Sequence, residues 1–320
     1  MKLCLRYRAA RLYNVIMIYT LTINPSVDLV MDLKAPLTLG VINRSGHEEY
    51  NIGGKGINVA TVLNNLGEDV TPVTILAGFT GREIESYLKE NFKQYRALYL
   101  EEGFTRFTLN LRNETGETGV NGNGPLLTPE ILDKVIEILK NEMQEGDFLC
   151  VSGSVPSSLG EHAYEKIMEA LKDKKVDIAI DASKNLLLNT LKYHPVVIKP
   201  NLEELGEYFG VELKNKEEGI PYLHKMQEMG ARNIICSLGG DGAMLLGENG
   251  QMYFSDAPKG KLVNSVGAGD SMVAGFLFEY ARSHDYEKAL KMGIACGSAS
   301  AFSMRLATAE QIYDLLKQIQ

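Results

Sequence analysis

A run of small residues around one carboxylate, Asn-Ser-Val-Gly-Ala-Gly-Asp-Ser at positions 264–271, has the composition of an anion-binding site. Glycines let an anion approach the backbone amides, and the helix predicted to begin here adds the positive end of its dipole. The amides of Gly267, Ala268 and Gly269 are suited to hold charge on a transferred phosphoryl group, with Asp270 as the general base for a substrate hydroxyl. Taken alone, the run favours the simpler interpretation that Asp270 caps the helix.

A second glycine-rich segment, Gly53-Gly54-Lys55-Gly56, precedes another predicted helix. Its glycines allow close backbone approach and its lysine adds a cation, which together suit a sugar phosphate or a polyol. A tight turn with a solvated lysine explains the segment equally well. Asp28 follows the first predicted strand, where open α/β sheets bind ligands, so it is either an acceptor for sugar hydroxyls or a turn residue.

Two further turns have the residue types of a nucleotide site. Asn201 and Glu204 lie three residues apart at a predicted helix start and could hold Mg²⁺ through its waters, although a capping box is the simpler explanation. The segment Ser-Leu-Gly-Gly-Asp-Gly at 237–242 follows a predicted strand. It could admit nucleotide phosphates or a purine, or it could be a hairpin turn.

Several classes of protein lack support in this chain. There is no GxxxxGK[ST] phosphate loop, no GxGxxG after a strand, no GxSxG elbow and no HExxH zinc motif. The net charge of −8 argues against a nucleic-acid footprint, and no apolar run reaches the length of a membrane span. The four cysteines are far apart and form no CxxC pair, so we expect reduced thiols in a cytoplasmic protein.

The elements that position these segments alternate between apolar β-rich runs and amphipathic helices, which predicts a mainly parallel sheet covered by helices. Two stretches, at about 29–52 and 104–125, instead alternate at period two and predict half-buried antiparallel strands. We expect them to form a small sheet that covers the active site or a second subunit. Residues 1–15, with four basic side chains and no acid, are expected to be a leader or an added extension before the domain at 16–320.

Together and in this order, the segments resemble the PfkB family of ribokinase-like sugar kinases. Residues 53–58 look like its first signature and residues 264–275 like its second. Residues 22–28, 152–156 and 259–270 are most similar to its branch of 1-phosphofructokinases and tagatose-6-phosphate kinases. The resemblance covers the chain from Ile16 onward. It implies a three-layer α/β fold with a mainly parallel central sheet and a small β-sheet lid.

The resemblance also implies a role for each segment. Asp270 would activate the sugar hydroxyl, the amides of Gly267, Ala268 and Gly269 would form the anion hole, and Glu204 would organise Mg²⁺. The other positions fall into three groups: Lys55, Asn58 and Arg106 match residues that hold the sugar phosphate; Asp28, Gly53, Gly54 and Ser154 match residues that line the sugar; and Lys199, Asn201, Ser237, Gly239 and Gly242 match the ATP side.

The implied reaction is ATP-dependent phosphorylation of D-fructose 1-phosphate to fructose 1,6-bisphosphate. Some family members hold a 6-phosphate with a second arginine after Arg106, but residues 118–125 contain no basic side chain. Tagatose-6-phosphate kinase is the nearest alternative, followed by a non-catalytic sugar-phosphate sensor and a nicotinamide-dependent oxidoreductase. The family also implies ATP and Mg²⁺ as cofactors, leaves open a potassium site near Asn264 and Ser303, and suggests a homodimer through the lid.

Overall fold

The computed structural model describes residues 16–114 and 116–319, so the predicted leader at 1–15 lies outside the described residues. The strands in chain order are β1 (Ile18–Thr22), β2 (Ser26–Leu33), β3 (Ser45–Gly53), β4 (Val70–Ala77), β5 (Arg96–Leu100), β6 (Arg106–Asn113), β7 (Gly116–Asn121), β8 (Phe148–Ser152), β9 (Asp177–Asp181), β10 (Val197–Ile198), β11 (Asn233–Ser237), β12 (Ala243–Leu246) and β13 (Met252–Ser255). The helices are α1 (Lys55–Asn65), α2 (Gly78–Asn91), α3 (Pro129–Glu142), α4 (Ala163–Leu171), α5 (Asn185–Leu188), α6 (Leu202–Phe209), α7 (Lys216–Glu228), α8 (Ala268–Ser283), α9 (Tyr286–Ala301) and α10 (Ala309–Leu316).

A nine-stranded sheet runs through the centre of the described residues in the order β13-β12-β11-β10-β9-β8-β1-β4-β5. Its strands are parallel from β11 to β5, and β12 pairs antiparallel with both β11 and β13. Apolar side chains cover both faces, because a parallel sheet with helices on both sides has no solvated face. Helices α1, α8 and α9 pack on one face, and α3, α4 and α7 on the other. The predicted three-layer architecture is therefore confirmed.

The two stretches of period-two alternation form a separate four-stranded sheet, which we call the lid, in the order β3-β2-β6-β7. The prediction of antiparallel strands is correct for the β2–β3 and β6–β7 hairpins but wrong for the central pair, because β2 and β6 run parallel. Each hairpin leaves the central sheet beyond the carboxyl end of a parallel strand, β1 or β5, so the first strands of both hairpins leave in the same direction. Residues 34–44 form the connection at the tip of the first hairpin.

The register of the lid separates an apolar face from a polar one. Leu29 of β2 lies beside Leu109 of β6, and on the opposite face Asp28 lies beside Thr108. The polar face turns toward the carboxyl ends of the central strands, where Asp28 and Thr108 border a cavity. The lid therefore adds polar side chains to the edge of the sheet where an open α/β fold binds its ligands.

Cys150, Cys236 and Cys296 are free and buried, as the sequence predicts, and burial raises the pKa of the Cys150 thiol to about 12. Cys4 lies outside the described residues. Within the described part of the chain, no helix combines the length and the apolar character that crossing a membrane requires.

Candidate active site

A cavity of about 370 Å³, which we call the central cavity, lies between the lid, the carboxyl ends of the central strands and the start of α8. It gathers residues from the segments that the sequence singled out, except the one at 237–242. Its lining includes Asp28, Gly54, Lys55, Asn58, Arg106, Lys199, Asn201, Glu204, Gly267, Gly269 and Asp270. Segments more than 200 residues apart in the chain therefore meet in one place.

Asp270 is the third residue of α8 and is only 6% exposed. Its side chain does not cap the helix, so the simpler interpretation of the sequence is wrong. The carboxylate instead accepts a hydrogen bond from Asn58, whose Nδ2 lies 2.8 Å from Oδ2. The helix begins after Gly267, which has a φ of 79° that a glycine adopts without strain. This start leaves Asp270 directed into the cavity rather than back onto its own helix.

The backbone at the start of α8 provides amides that remain available to an anion. The amides of Gly267 and Gly269 donate no hydrogen bond to the part of the chain that the structure describes. The amide of Ala268 donates to the carbonyl of Ser265 at 3.2 Å, so the structure gives Ala268 a role in shaping the turn. The start of a 16-residue helix also carries positive partial charge, which suits a phosphoryl group.

Asp181, the last residue of β9, is the main residue of this site that the sequence analysis missed. Its carboxylate is 4% exposed and lies 3.1 Å from the Nζ of Lys55 and 3.6 Å from the Nζ of Lys199. It also lies within hydrogen-bonding reach of Asp270. No motif surrounds Asp181. The one sequence feature that could have pointed to it is its position at the carboxyl end of a predicted buried strand, where α/β sheets bind ligands.

The two neighbouring carboxyl groups have opposite pKa shifts. Burial raises the pKa of Asp270 to about 6, and the negative charge of Asp181 acts in the same direction. Burial would raise the pKa of Asp181 as well, but the ammonium groups of Lys199 and Lys55 hold the pKa of that carboxyl below its ordinary value. A carboxylate with a pKa near neutrality is suited to accept a proton from a hydroxyl group.

A second pocket of about 230 Å³ adjoins the central cavity and shares Gly54, Lys55 and Arg106 with it. We call it the cationic pocket. Ser154 lines it, as do Ser152 and Asn24. The Nε of Arg106 donates to the backbone carbonyl of Asn24 at 3.2 Å, which leaves the outer nitrogens of its guanidinium group for a ligand. Burial lowers the pKa of Arg106, although an arginine remains charged at neutral pH.

The remaining residues predicted to hold the sugar lie beside this pocket rather than in it. Asn58 lines the central cavity and uses its amide on Asp270, so the structure places it with the candidate base and not with the cationic pocket. Gly53 lies under Asp28, where an added Cβ would stand 2.1 Å from Oδ2. The Oδ1 of Asp28 is buried and has no hydrogen-bond partner among the described residues. A hydroxyl group of a ligand, or a water molecule, would satisfy it.

On the other side of the central cavity is a cleft of about 650 Å³, which we call the glycine cleft. Its lining includes Asn201, Ser237 and Gly239. Gly242 lies outside this lining and packs against β13, where an added Cβ would stand 2.1 Å from the carbonyl of Ser255. Lys199 lies at the border of the central cavity, paired with Asp181. The volume and the exposed backbone of the cleft suit a nucleotide.

Asn201 and Glu204 form the capping box of α6 that the sequence suggested. The amide of Glu204 donates to Asn201 Oδ1 at 2.7 Å, and the amide of Asn201 donates to Glu204 Oε2 at 2.9 Å. The Oε1 of Glu204 is left over and lies at the central cavity. No group of three or more acidic, histidine or cysteine side chains surrounds a common point in the described residues. This set fits Mg²⁺ held mainly by phosphates and water, as that ion prefers.

The residues suggested for a potassium site, Asn264 and Ser303, lie on two segments that are in contact. The amide of Asn264 donates to the carbonyl of Ala301 at 3.1 Å, and the Ser303 hydroxyl donates to the carbonyl of Ala299 at 2.8 Å. The potassium site stays a prediction.

The model of the pfkB family of carbohydrate kinases matches residues 22–311. This chain is a pfkB carbohydrate kinase. It is 42% identical over 305 residues to the 1-phosphofructokinase of Bacillus subtilis, covering 95% of this chain and 99% of that protein. It is 34% identical to the D-tagatose-1-phosphate kinase of Bacillus licheniformis, with the same shares covered. A structure of the tetrameric inhibited form of Escherichia coli phosphofructokinase-2 matches with a TM-score of 0.86 and 25% identity, covering 95% of this chain and 99% of that one.

Membership of this family confirms the resemblance read from the sequence. The chain is a phosphotransferase that acts on an alcohol group, which decides against the nicotinamide-dependent oxidoreductase and the non-catalytic sensor. A kinase of this family uses ATP and Mg²⁺, in agreement with the glycine cleft and the free Glu204 oxygen. The two carboxylates and two lysines described above form the charged part of the candidate active site.

We expect replacement of Asp181 to move the pH dependence of the kinase. The Asp181→Asn variant removes a negative charge that raises the pKa of Asp270. With Asp270 as the general base that the resemblance implies, its unprotonated form is the active one. The acidic limb of kcat/KM, expected at about pH 6 in the wild type, should then shift to lower pH. The measurement is the kcat/KM–pH profile of both proteins with the same substrate, whose phosphate ionises identically in each.

The matched control for this prediction is Asp177→Asn, a change on the same strand at the end remote from the cavity, where Asp177 pairs with Arg232. It should leave the acidic limb in place. Thermal unfolding establishes that both variants are folded. An unmoved limb in Asp181→Asn would mean that Asp181 does not set the protonation of the catalytic group.

Proposed function

We propose that this kinase transfers the γ-phosphoryl group of ATP to the 6-hydroxyl of D-fructose 1-phosphate. The observation that carries the proposal is that the buried carboxylate of Asp270 lies between two places that suit an anion, the start of α8 and the cationic pocket. The free amides at the start of α8 lie beside Asp270, and the cationic pocket with Lys55 and Arg106 lies on the other side of the shared cavity. A substrate with a hydroxyl at one end and a phosphate at the other fits that arrangement.

The proposed step begins with the sugar hydroxyl hydrogen-bonded to Asp270. As the hydroxyl oxygen forms its bond to the γ-phosphorus, its proton passes to the carboxylate and the bond from that phosphorus to the β,γ-bridging oxygen breaks. ADP leaves with the electron pair of that bond. The amides of Gly267 and Gly269, with Lys199, hold the negative charge of the phosphoryl oxygens in flight.

The other groups of the site position the two substrates. Lys55 and Arg106 would pair with the 1-phosphate, and Asp28 would accept hydrogen bonds from ring hydroxyls. Mg²⁺, when bound, would neutralise charge on the nucleotide phosphates, and Glu204 with Asn201 would hold it through water. The lid would exclude water from the reacting groups, which limits hydrolysis of ATP.

Two observations favour a 1-phosphate over a 6-phosphate. The two relatives, from Bacillus subtilis and Bacillus licheniformis, are named 1-phosphofructokinase and D-tagatose-1-phosphate kinase. Both names describe kinases of ketose 1-phosphates. The lid strand that follows Arg106 also brings no second arginine to the pocket, since residues 118–125 contain no basic side chain. Tagatose 6-phosphate, the alternative suggested by the sequence, has neither kind of support.

The direct test is ADP release with Mg-ATP and equal concentrations of fructose 1-phosphate, fructose 6-phosphate and tagatose 6-phosphate. We expect fructose 1-phosphate to give the largest kcat/KM, because only it places a phosphate in the cationic pocket with its 6-hydroxyl at Asp270. Preference for tagatose 6-phosphate would keep the mechanism and replace the substrate. No ADP from any of the three would contradict the proposed function.

The proposed base is tested by Asp270→Asn, which keeps the size of the side chain and removes its basicity. We expect kcat to fall by about 10²–10⁴, with sugar-phosphate affinity largely unchanged. Single-turnover rates measure the first effect, and calorimetric titration with fructose 1-phosphate measures the second. Turnover close to that of the wild type would contradict the assignment.

We also propose that the kinase is a homodimer through the lid. Its outward face carries Leu29, Leu109 and Val120 side by side, and Val120 is 56% exposed. The tip at residues 34–44 adds Leu39 and Ile42, both more than 80% exposed. Apolar surface gathered in this way is typical of a protein–protein interface.

The dimer is tested by Val120→Asp, which places a charge in the middle of the outward face without disturbing the core of the protomer. Analytical ultracentrifugation should give a dimer for the wild type and a monomer for the variant. Met229→Asp, at an exposed apolar position after α7, is the control and should remain a dimer. A monomeric wild type at micromolar concentration would contradict the proposal.

A further inference from the structure

Residues 121–124, with the sequence Asn-Gly-Asn-Gly, lead out of the lid at the end of β7. None of the roles proposed above uses their side chains. An asparagine followed by glycine is the pair most prone to lose the side-chain amide, because glycine has no Cβ to keep its backbone nitrogen away from the preceding side chain. The chain contains one further pair of this kind, Asn249-Gly250.

The reaction needs an asparagine side chain and a glycine nitrogen that are both free to move toward each other. Asn249 does not meet this condition. Its Nδ2 donates to the hydroxyl of Tyr253 at 2.9 Å, and its Oδ1 accepts from the amide of Gln251 at 3.1 Å. The amide of Gly250 is also bonded, to the carbonyl of Gly247 at 2.9 Å. We therefore expect this pair to be protected.

The two pairs at the end of the lid differ from each other. Asn121 is the last residue of β7, and the amide of Gly122 donates to the carbonyl of Phe107 at 2.8 Å, so that nitrogen is held by the lid. Asn123 is exposed, and its side chain makes no hydrogen bond to the described residues. The amide of Gly124 likewise donates to no group in the described part of the chain. Asn123-Gly124 is thus the pair whose reacting atoms are free.

The backbone of this pair packs against the cationic pocket. The carbonyl of Asn123 lies 3.5 Å from the Nδ2 of Asn24, and a Cβ added to Gly124 would stand 2.7 Å from the Oδ1 of Asn24 and 3.5 Å from the Cβ of Arg106. Asn24 and Arg106 both line the pocket, and the carbonyl of Asn24 holds the Nε of Arg106 at 3.2 Å. A change at residue 123 therefore reaches Arg106 through a single intervening residue.

We infer that Asn123 is the first asparagine of the described chain to deamidate, and that its conversion weakens binding of the sugar phosphate. The backbone nitrogen of Gly124 gives its proton to hydroxide and forms a bond to the Cγ of Asn123. The bond from Cγ to Nδ2 breaks, and ammonia leaves with that electron pair and a proton from water. Water then opens the succinimide ring at either carbonyl, which gives aspartate or isoaspartate.

Both products disturb the cationic pocket. Aspartate places a negative charge beside the groups proposed to hold the phosphate, Lys55 and Arg106, and like charges oppose binding. Isoaspartate adds a methylene group to the backbone, which moves the carbonyl of residue 123 away from Asn24. The site of modification follows from the chain alone. The effect on binding rests on the proposed function, because it needs the sugar phosphate in the cationic pocket.

The first test ages the wild-type kinase in warm, mildly alkaline buffer and follows its peptides by mass spectrometry. Deamidation replaces an amide by a carboxyl group and raises the mass by about one unit, and fragment ions assign the change to one residue. We expect it at Asn123 before Asn121 and Asn249. Conversion of Asn121 or Asn249 at the same rate or earlier would overturn the inference.

The second test follows activity in the same samples. The KM for fructose 1-phosphate should rise in step with the converted fraction, while kcat should hold, because the start of α8 is untouched. Asn123→Gln should keep its KM over the same period, since ring closure from glutamine needs a less favourable six-membered ring. Asn121→Gln is the matched control and should age like the wild type. Ageing of Asn123→Gln at the wild-type rate would show that another change causes the loss.

The third test uses fresh Asn123→Asp, which contains one of the two products from the start. We expect its KM for fructose 1-phosphate to be about two- to tenfold that of the wild type, with the difference shrinking at high ionic strength. Asn249→Asp should match the wild type. An unchanged KM in Asn123→Asp would overturn the effect of the charge on binding. Failure of fresh wild-type protein to release ADP with fructose 1-phosphate would overturn the proposed function instead, and the mass-spectrometric result would still decide the site of modification.

Discussion

The buried carboxylate of Asp181 is the interaction on which the site depends. It holds the ammonium groups of Lys55 and Lys199 at 3.1 and 3.6 Å while lying beside Asp270. The side chains of Asp181, Asp270 and Lys199 are buried, whereas the side chain of Lys55 is partly exposed. Removing one partner of a buried ion pair typically costs about 3–5 kcal/mol, because the other charge is left uncompensated. Taking both charges of such a pair out of water nevertheless costs about as much as their attraction returns, so the intact cluster adds little net stability. The chemistry of the cavity is the better explanation for it.

This charge cluster also explains why the site needs the parallel sheet. Asp181 is the last residue of β9 and Lys199 directly follows the neighbouring strand β10, so the sheet itself fixes their separation. Helices α1 and α8 then bring Lys55 and Asp270 from the same face of the sheet. A rigid framework of this kind holds charges that would otherwise turn toward water, and pre-organised charge is the main contribution of a protein to phosphoryl transfer.

The sequence predicts the glycine-rich parts of the site well, because an anion site built from backbone requires small residues and a helix start close together in the chain. Asp181, the neighbour of Asp270, is harder to predict from the sequence. It is one acidic residue at the end of an ordinary buried strand, and its two lysines lie 126 and 18 residues away. The same limit applies to Asn58, whose contact with Asp270 spans 212 residues. The period-two alternation of the sequence predicts the strands of the lid. It does not predict the parallel pairing of β2 and β6, because that pairing depends on where both hairpins leave the central sheet.

That parallel pairing has a consequence for substrate recognition. In the register of β2 and β6, Ser26 lies opposite Arg106 and Asp28 opposite Thr108. Arg106, proposed to pair with the sugar phosphate, and Asp28, proposed to accept from the ring hydroxyls, therefore belong to one small sheet. The two groups cannot move independently, because the hydrogen bonds between the strands fix their spacing. A ligand that draws Arg106 onto its phosphate also brings Asp28 to its ring. On the proposed roles, this coupling through the lid would let the phosphate set the position of the whole sugar.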